Sequence, residues 1–107
     1  MQEITPQSAF EEISSGRAVC IDVRESYEWE AGHAENVFWN PMSAFDINAL
    51  PSEVPLIFIC RSGSRSHQVA TAVAAKMENV SNITGGMKAW NEAGLAMVSA
   101  NGNPEVV

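Results

Sequence analysis

The chain has 107 residues, enough for one domain with a modest buried core that needs no metal or set of disulfides to hold it. Hydrophobic residues make up 46% and charged residues 18%, a globular composition, and no stretch is long and apolar enough to span a bilayer. A formal net charge of −7 argues against nucleic acid or an anionic membrane as the main partner, because both reward an excess of Lys and Arg.

Met1 to Pro6 contain Glu3 and lack a basic start followed by an apolar run, so no secretory signal is read and cytoplasm is the expected compartment. Glu3-Ile4 is a candidate edge-strand stub. Thr5 followed by Pro6 is an N-cap and first-turn signature, and Ala9, Phe10 and Ile13 form the apolar stripe of a first helix ending near Gly16. Ala18 to Val23, Val37 to Trp39, Leu56 to Cys60 and the weaker Val80 to Ile83 are predicted strands. Short helices are expected over Tyr27 to Ala31, Ser43 to Leu50 and Met87 to Ala93, the last closed by Gly94. The longest predicted helix covers Ser64 to Asn79, where Val69, Val73 and Met77 recur at steps of four beside Ala70 and Ala74. Apolar strands alternating with helices give an α/β class with a parallel sheet covered on both faces. No repeat or linker divides the chain, so residues 1–98 are read as one domain and residues 99–107 as a flexible C-terminal tail.

In such sheets ligands bind beyond the carboxyl ends of the strands, and Cys60 stands at such an end. The segment Cys60-Arg61-Ser62-Gly63-Ser64-Arg65 then leads straight into the long helix. Backbone N–H groups in a strand-to-helix turn can form a nest for an anion, and the free N–H groups of the helix start add partial positive charge. Gly63 supplies freedom of φ, Ser62 and Ser64 supply hydroxyls, and Arg61 and Arg65 are two of only six Lys and Arg residues in an acidic chain. That field is expected to favour the thiolate of Cys60, the reactive form. Cys20, inside an apolar strand, reads as a small core residue, and both thiols are expected to be reduced.

The chain resembles the rhodanese homology family over nearly its whole length. The resemblance rests on the Cys60 to Arg65 loop, on Ile21-Asp22-Val23-Arg24-Glu25, on Glu28 and Gly32-His33, and on Gly85-Gly86-Met87-Lys88-Ala89-Trp90 followed by Gly94-Leu95. It implies a three-layer fold with a five-stranded parallel sheet between helices. It also implies a sulfurtransferase in which Cys60 cycles between thiolate and persulfide, with a donor such as thiosulfate and cyanide or a thiol as acceptor. Arg61, Ser62, Gly63, Ser64 and Arg65 would then bind the anionic donor, with Asp22 and Arg24 standing behind them. Such chemistry needs no metal or organic cofactor, and a monomer is expected. Phosphatases and arsenate reductases of related design place five residues between Cys and Arg, whereas four separate Cys60 from Arg65 here, a tighter cradle.

Other residues receive structural readings. Glu28 and His33 are expected to make hydrogen bonds within the fold, His67 to be solvated, and Trp29, Met87 and Trp90 to pack. Two departures from the family pattern bear on the donor. Ala34 to Pro41 replaces an Ile-Pro-Gly-Ala-like stretch, and Ser62 stands where a basic residue is common, so thiosulfate need not be the preferred donor. A sulfur relay fed by a partner protein, or an interaction module without turnover, are the competing readings.

Overall fold

In the computed structural model, which describes residues 1–107, thirteen short elements follow one another. They are β1 (Gln2–Ile4), α1 (Pro6–Ser14), β2 (Val19–Asp22), α2 (Ser26–Ala31), β3 (His33–Ala34), β4 (Phe38–Trp39), two 3₁₀ turns (Met42–Ala44 and Ile47–Ala49), β5 (Leu56–Ile59), α3 (Ser64–Ala74), β6 (Val80–Ile83), α4 (Gly86–Glu92) and β7 (Met97–Val98). Five strands form one parallel sheet in the order β1-β6-β5-β2-β4, and β3 pairs antiparallel with β7. The α/β class and the five-stranded parallel sheet stand as expected. No helix is long and apolar enough to cross a membrane.

The central strands are apolar on both sides because each side chain along them alternates faces. Ile57 and Ile59 of β5 join Cys20 on one face, where Ala9 and Ile13 of α1 and Met87 and Trp90 of α4 cover them. Leu56 and Phe58 join Ile21 on the other face, beneath Val69, Ala70 and Val73 of α3. Each fully buried aliphatic or aromatic side chain contributes about 1.5–3 kcal/mol from removal of its surface from water.

Local chemistry sets the element ends. Thr5 caps α1 as its spacing predicts, its Oγ1 accepting from Ser8 N–H at 3.1 Å. Glu25 and Glu28 form a capping box at the start of α2. The helix predicted over Ser64 to Asn79 stops at Ala74, yet Met77 still packs on the core, because a tightened turn hands both Lys76 and Met77 N–H to Val73 O. The predicted helix over Ser43 to Leu50 is instead the two 3₁₀ turns. Asn40 breaks it: its amide accepts from Asp46 N–H at 3.0 Å and donates to Asp46 O at 2.9 Å, while Asp46 Oδ1 accepts from Asn48 N–H.

Residues 99–107, expected as a flexible tail, contact the domain at three points. Glu105 N–H donates to Ala31 O at 2.9 Å, Val106 packs on the α1–α4 side of the core, and Val107 O accepts from Arg61 Nε at 3.0 Å. Gly32 is required beneath this segment, since a Cβ there would lie 2.6 Å from Glu105 N.

Candidate active site

Cys60 follows β5, the middle strand of the sheet, and is 1% exposed. Its sulfur has two donors: Gly63 N–H at 3.1 Å and the Ser66 hydroxyl at 3.2 Å. Gly63 is the residue that caps α3, and its φ of 104° places it in the left-handed region where a side chain would be strained. The loop is also gripped from behind. Met87 N–H donates to Cys60 O at 2.7 Å and Lys88 N–H to Arg61 O at 3.0 Å, so the start of α4 serves the carbonyls of the loop. This approach explains the glycine at the first position of α4: a Cβ on Gly86 would clash with Cys60 O.

The two arginines of the loop are both committed. Arg65 makes a bidentate pair with Glu28, with both contacts at 2.8 Å. Those hydrogen bonds hold the Glu28 carboxyl below its ordinary value against the opposing effect of burial, and they raise Arg65, to which the neighbouring Cys60 also adds. Arg61 is exposed and reaches back to Val107 O. Ser62 and Ser64 are exposed on the rim of a shallow polar depression with His67, Gln68 and Thr84. The structure therefore brings Gly63 to the sulfur, sets Arg65 beside it in a pair with Glu28, and leaves Arg61, Ser62 and Ser64 at the mouth.

Behind the loop, Asp22 and Arg24 are wholly buried. Asp22 accepts from Arg24 Nη2 at 2.9 Å and from Arg24 N–H at 3.0 Å, and Arg24 Nη2 also donates to Gly32 O at 2.8 Å. The pair ties the end of β2 to the end of α2, while Val23 N–H bonds Ile59 O one residue before Cys60. Asp22 and Arg24 thus bond to each other, to Gly32 and to neighbouring strands, and make no hydrogen bond to residues 60–65. Trp39 Nε1 donates to Arg24 O at 2.8 Å and closes the same corner.

Glu28 and His33 make the structural bonds expected of them, His33 Nδ1 donating to Trp29 O at 3.0 Å while its ring stacks on Trp29. His67 is half exposed and bonded to Glu3 Oε2 at 2.8 Å. Cys20 lies on the opposite face of the sheet from Cys60, and burial, followed by the charge of Asp22, pushes its thiol well above the ordinary range. It is an inert core thiol.

Ser66 is the sulfur's second donor, and reading the loop misses it. The signal is present all the same: Ser66 stands three, four and seven positions before Val69, Ala70 and Val73, so it is the polar member of the buried stripe of α3. A hydroxyl on that stripe, one turn into the helix, points at the capping position where the sulfur sits.

A family model described as the rhodanese-like domain matches residues 5–93. The thiosulfate sulfurtransferase GlpE of Actinobacillus succinogenes is 30% identical over 103 residues, covering 94% of this chain and 93% of that protein. A tRNA uridine(34) hydroxylase of Chlamydia abortus is 26% identical over 103 residues, but the match spans only 32% of that longer protein. Among solved structures, a rhodanese-related protein from Thermoplasma volcanium aligns with a TM-score of 0.83 at 25% identity, over 92% of this chain and 98% of that one.

Proposed function

The chain belongs to the rhodanese-like domain family, and from that premise we propose that it is a sulfurtransferase carrying sulfane sulfur as a persulfide on Cys60. The observation that supports this reading most directly is the pair of donors on the sulfur, Gly63 N–H at 3.1 Å and the Ser66 hydroxyl at 3.2 Å. Donors fixed in advance at a buried sulfur stabilise negative charge there without reorganisation, which favours the attacking thiolate and the same thiolate as leaving group when the outer sulfur is passed on.

With thiosulfate as donor, the Cys60 thiolate attacks the outer sulfur, an S–S bond forms to Cys60, and the S–S bond of thiosulfate breaks with both electrons leaving on sulfite. Charge and sulfur balance with no outside oxidant. Cyanide or a thiolate then takes the terminal sulfur and restores the Cys60 thiolate. Arg61, Ser62 and Ser64 stand at the mouth, where the donor's oxyanion would meet them. Arg65 is half neutralised by Glu28 and serves mainly to hold the loop to α2.

That commitment of Arg65, with Arg61 tied to Val107 O and a net charge of −7, favours a second reading in which a partner's cysteine persulfide, rather than a small dianion, delivers the sulfur. One experiment addresses both. Thiosulfate or an alkyl persulfide is added to the protein, and the mass gain of one sulfur atom on Cys60 and thiocyanate release with cyanide are followed. Cys60→Ser should lose both signals. Equal turnover by Cys60→Ser refutes the mechanism, and loading by the persulfide alone assigns the relay. An aryl phosphate run in parallel tests phosphatase activity, which becomes the better reading only if its Cys60-dependent rate exceeds sulfur transfer.

A further inference from the structure

The Ser66 hydroxyl carries one proton and has two acceptors within reach, Cys60 Sγ at 3.2 Å and Gly63 O at 3.4 Å. Which of them receives the proton depends on what else serves Gly63 O. His67 N–H takes one acceptor site of that oxygen at 3.1 Å, and Asn82 on β6, 1% exposed, takes the other, its Nδ2 donating to Gly63 O at 3.0 Å. The same nitrogen donates to Glu3 on β1, at 3.2 Å from Oε1 and 3.0 Å from Oε2. The two ends of an Asn amide have the same shape, so its orientation is dictated by its partners. Here both partners accept only, and the nitrogen must face them. Asn82 Oδ1 is consequently left buried without a hydrogen bond, an unfavourable arrangement that persists because the other end is so firmly held. Glu3 is itself held, accepting from Thr84 Oγ1 at 2.9 Å and from His67 Nδ1 at 2.8 Å. Burial pushes the Glu3 carboxyl up, but these bonds outweigh it and keep it below its ordinary value, so the acceptor stays ionised near neutral pH.

We propose that Asn82, oriented by Glu3, is a positioning residue for Cys60: by saturating Gly63 O it directs the Ser66 proton to the sulfur, and it fixes the peptide unit next to the Gly63 N–H that bonds the same atom. The inference rests on reading Cys60 as the sulfur carrier, and it extends that site to two strands that do not touch the reacting atoms. Neither residue belongs to the loop itself, and Glu3 lies 57 positions away from Cys60 in the chain.

The test reads the thiolate without requiring sulfur transfer. Iodoacetamide alkylation of Cys60 is followed by mass spectrometry across pH in the wild type, Asn82→Leu, Glu3→Leu, Ser66→Ala and Asn82→Leu/Ser66→Ala. Arg65, the charged neighbour of the sulfur, keeps its Glu28 partner in all of them. Asn82→Leu frees one of the two acceptor sites of Gly63 O, the other staying with His67 N–H, and lets the Ser66 proton turn to it, so alkylation at about pH 7 slows by about tenfold, while the plateau rate at high pH stays near the wild-type one. Ser66→Ala slows it similarly, and the double variant is little slower than either single one. Glu3→Leu, at a half-exposed position on the edge strand, shows part of the same slowing, with retention of the fold checked by circular dichroism. Profiles of Glu3→Leu and of folded Asn82→Leu that coincide with the wild type overturn the proposal, as does full additivity of Asn82→Leu with Ser66→Ala. If Asn82→Leu fails to fold, Glu3→Leu decides. A wild type that shows the expected alkylation pattern yet never takes up sulfur from thiosulfate or a persulfide overturns the sulfurtransferase reading and leaves the positioning role standing.

Discussion

Glu28 is 2% exposed, accepts both Arg65 bonds at 2.8 Å and also accepts from Glu25 N–H at 3.0 Å. Removing Arg65 leaves that carboxylate buried with fewer donors, whereas Glu28→Gln keeps Oε1 as acceptor for Glu25 N–H and one Arg65 N–H, loses the second Arg65 bond, and leaves the unpaired charge on the partly exposed Arg65. Arg65→Met should therefore destabilise the fold at pH 7 by about 1–3 kcal/mol, more than Glu28→Gln does. The pH dependence has a definite sign. The Arg65 bonds lower the folded-state carboxyl below its unfolded value of about 4.3, so the stabilisation is complete above that value and is lost as pH falls through the lower, folded one. Urea midpoints measured down through the acid range should fall more steeply for the wild type than for Glu28→Gln; parallel curves would show that the pair contributes nothing there. At this scale the place of Cys60 at a strand end, the glycine beside it and the two arginines of the loop were legible in the sequence. The pairing of Arg65 with a carboxylate 37 positions away was not, because Glu28 has an adequate local explanation as the partner of a capping box. Ser66 was overlooked because the adjacent Ser62 and Ser64 are the more conspicuous hydroxyls, although only Ser66 lies on the buried stripe.

Elements that carry their own cause were readable from local sequence, as with the Thr5 cap of α1, the apolar runs of β2 and β5, and the stripe of α3. Elements that depend on a distant partner were not. β3 and β7 are two residues each and exist only because His33 pairs with Val98 and Ala34 with Met97. The segment from Pro41 to Leu50 failed for a different reason: its spacing suits a helix, but a side chain just upstream replaces the backbone bonds that a helix would make. Asn40 is 8% exposed and bridges both backbone groups of Asp46. Asn40→Ala should leave those groups unsatisfied, destabilise the protein by about 1–3 kcal/mol and speed amide exchange selectively at residues 41–50. A uniform rise in exchange across the chain would mean that Asn40 supports the whole sheet edge and not this segment.

Across the whole molecule, the net charge of −7 and the local field of the loop act in opposite directions on an incoming anion. Sequence alone suggested that the arginines of the loop would win. With Arg65 paired to Glu28 and Arg61 reaching to Val107 O, less of that positive charge faces the solvent than its sequence position implies. Long-range repulsion should then govern the approach of a dianion. The Debye length shrinks from about 30 Å at 0.01 M salt to about 8 Å at 0.15 M, so added salt screens the distant acidic groups before it weakens short-range contacts at the sulfur. Sulfur loading of Cys60 from thiosulfate should accordingly speed up by a few-fold between those salt concentrations, and alkylation by neutral iodoacetamide should stay nearly constant. Chloride substituted by a larger monovalent anion controls for direct competition in the loop, since screening depends on ionic strength and occupancy on the anion's size. Loading that slows with salt, and does so equally with either anion, would show that the loop's positive field outweighs the charge of the chain, and that Arg61 leaves Val107 to meet the donor.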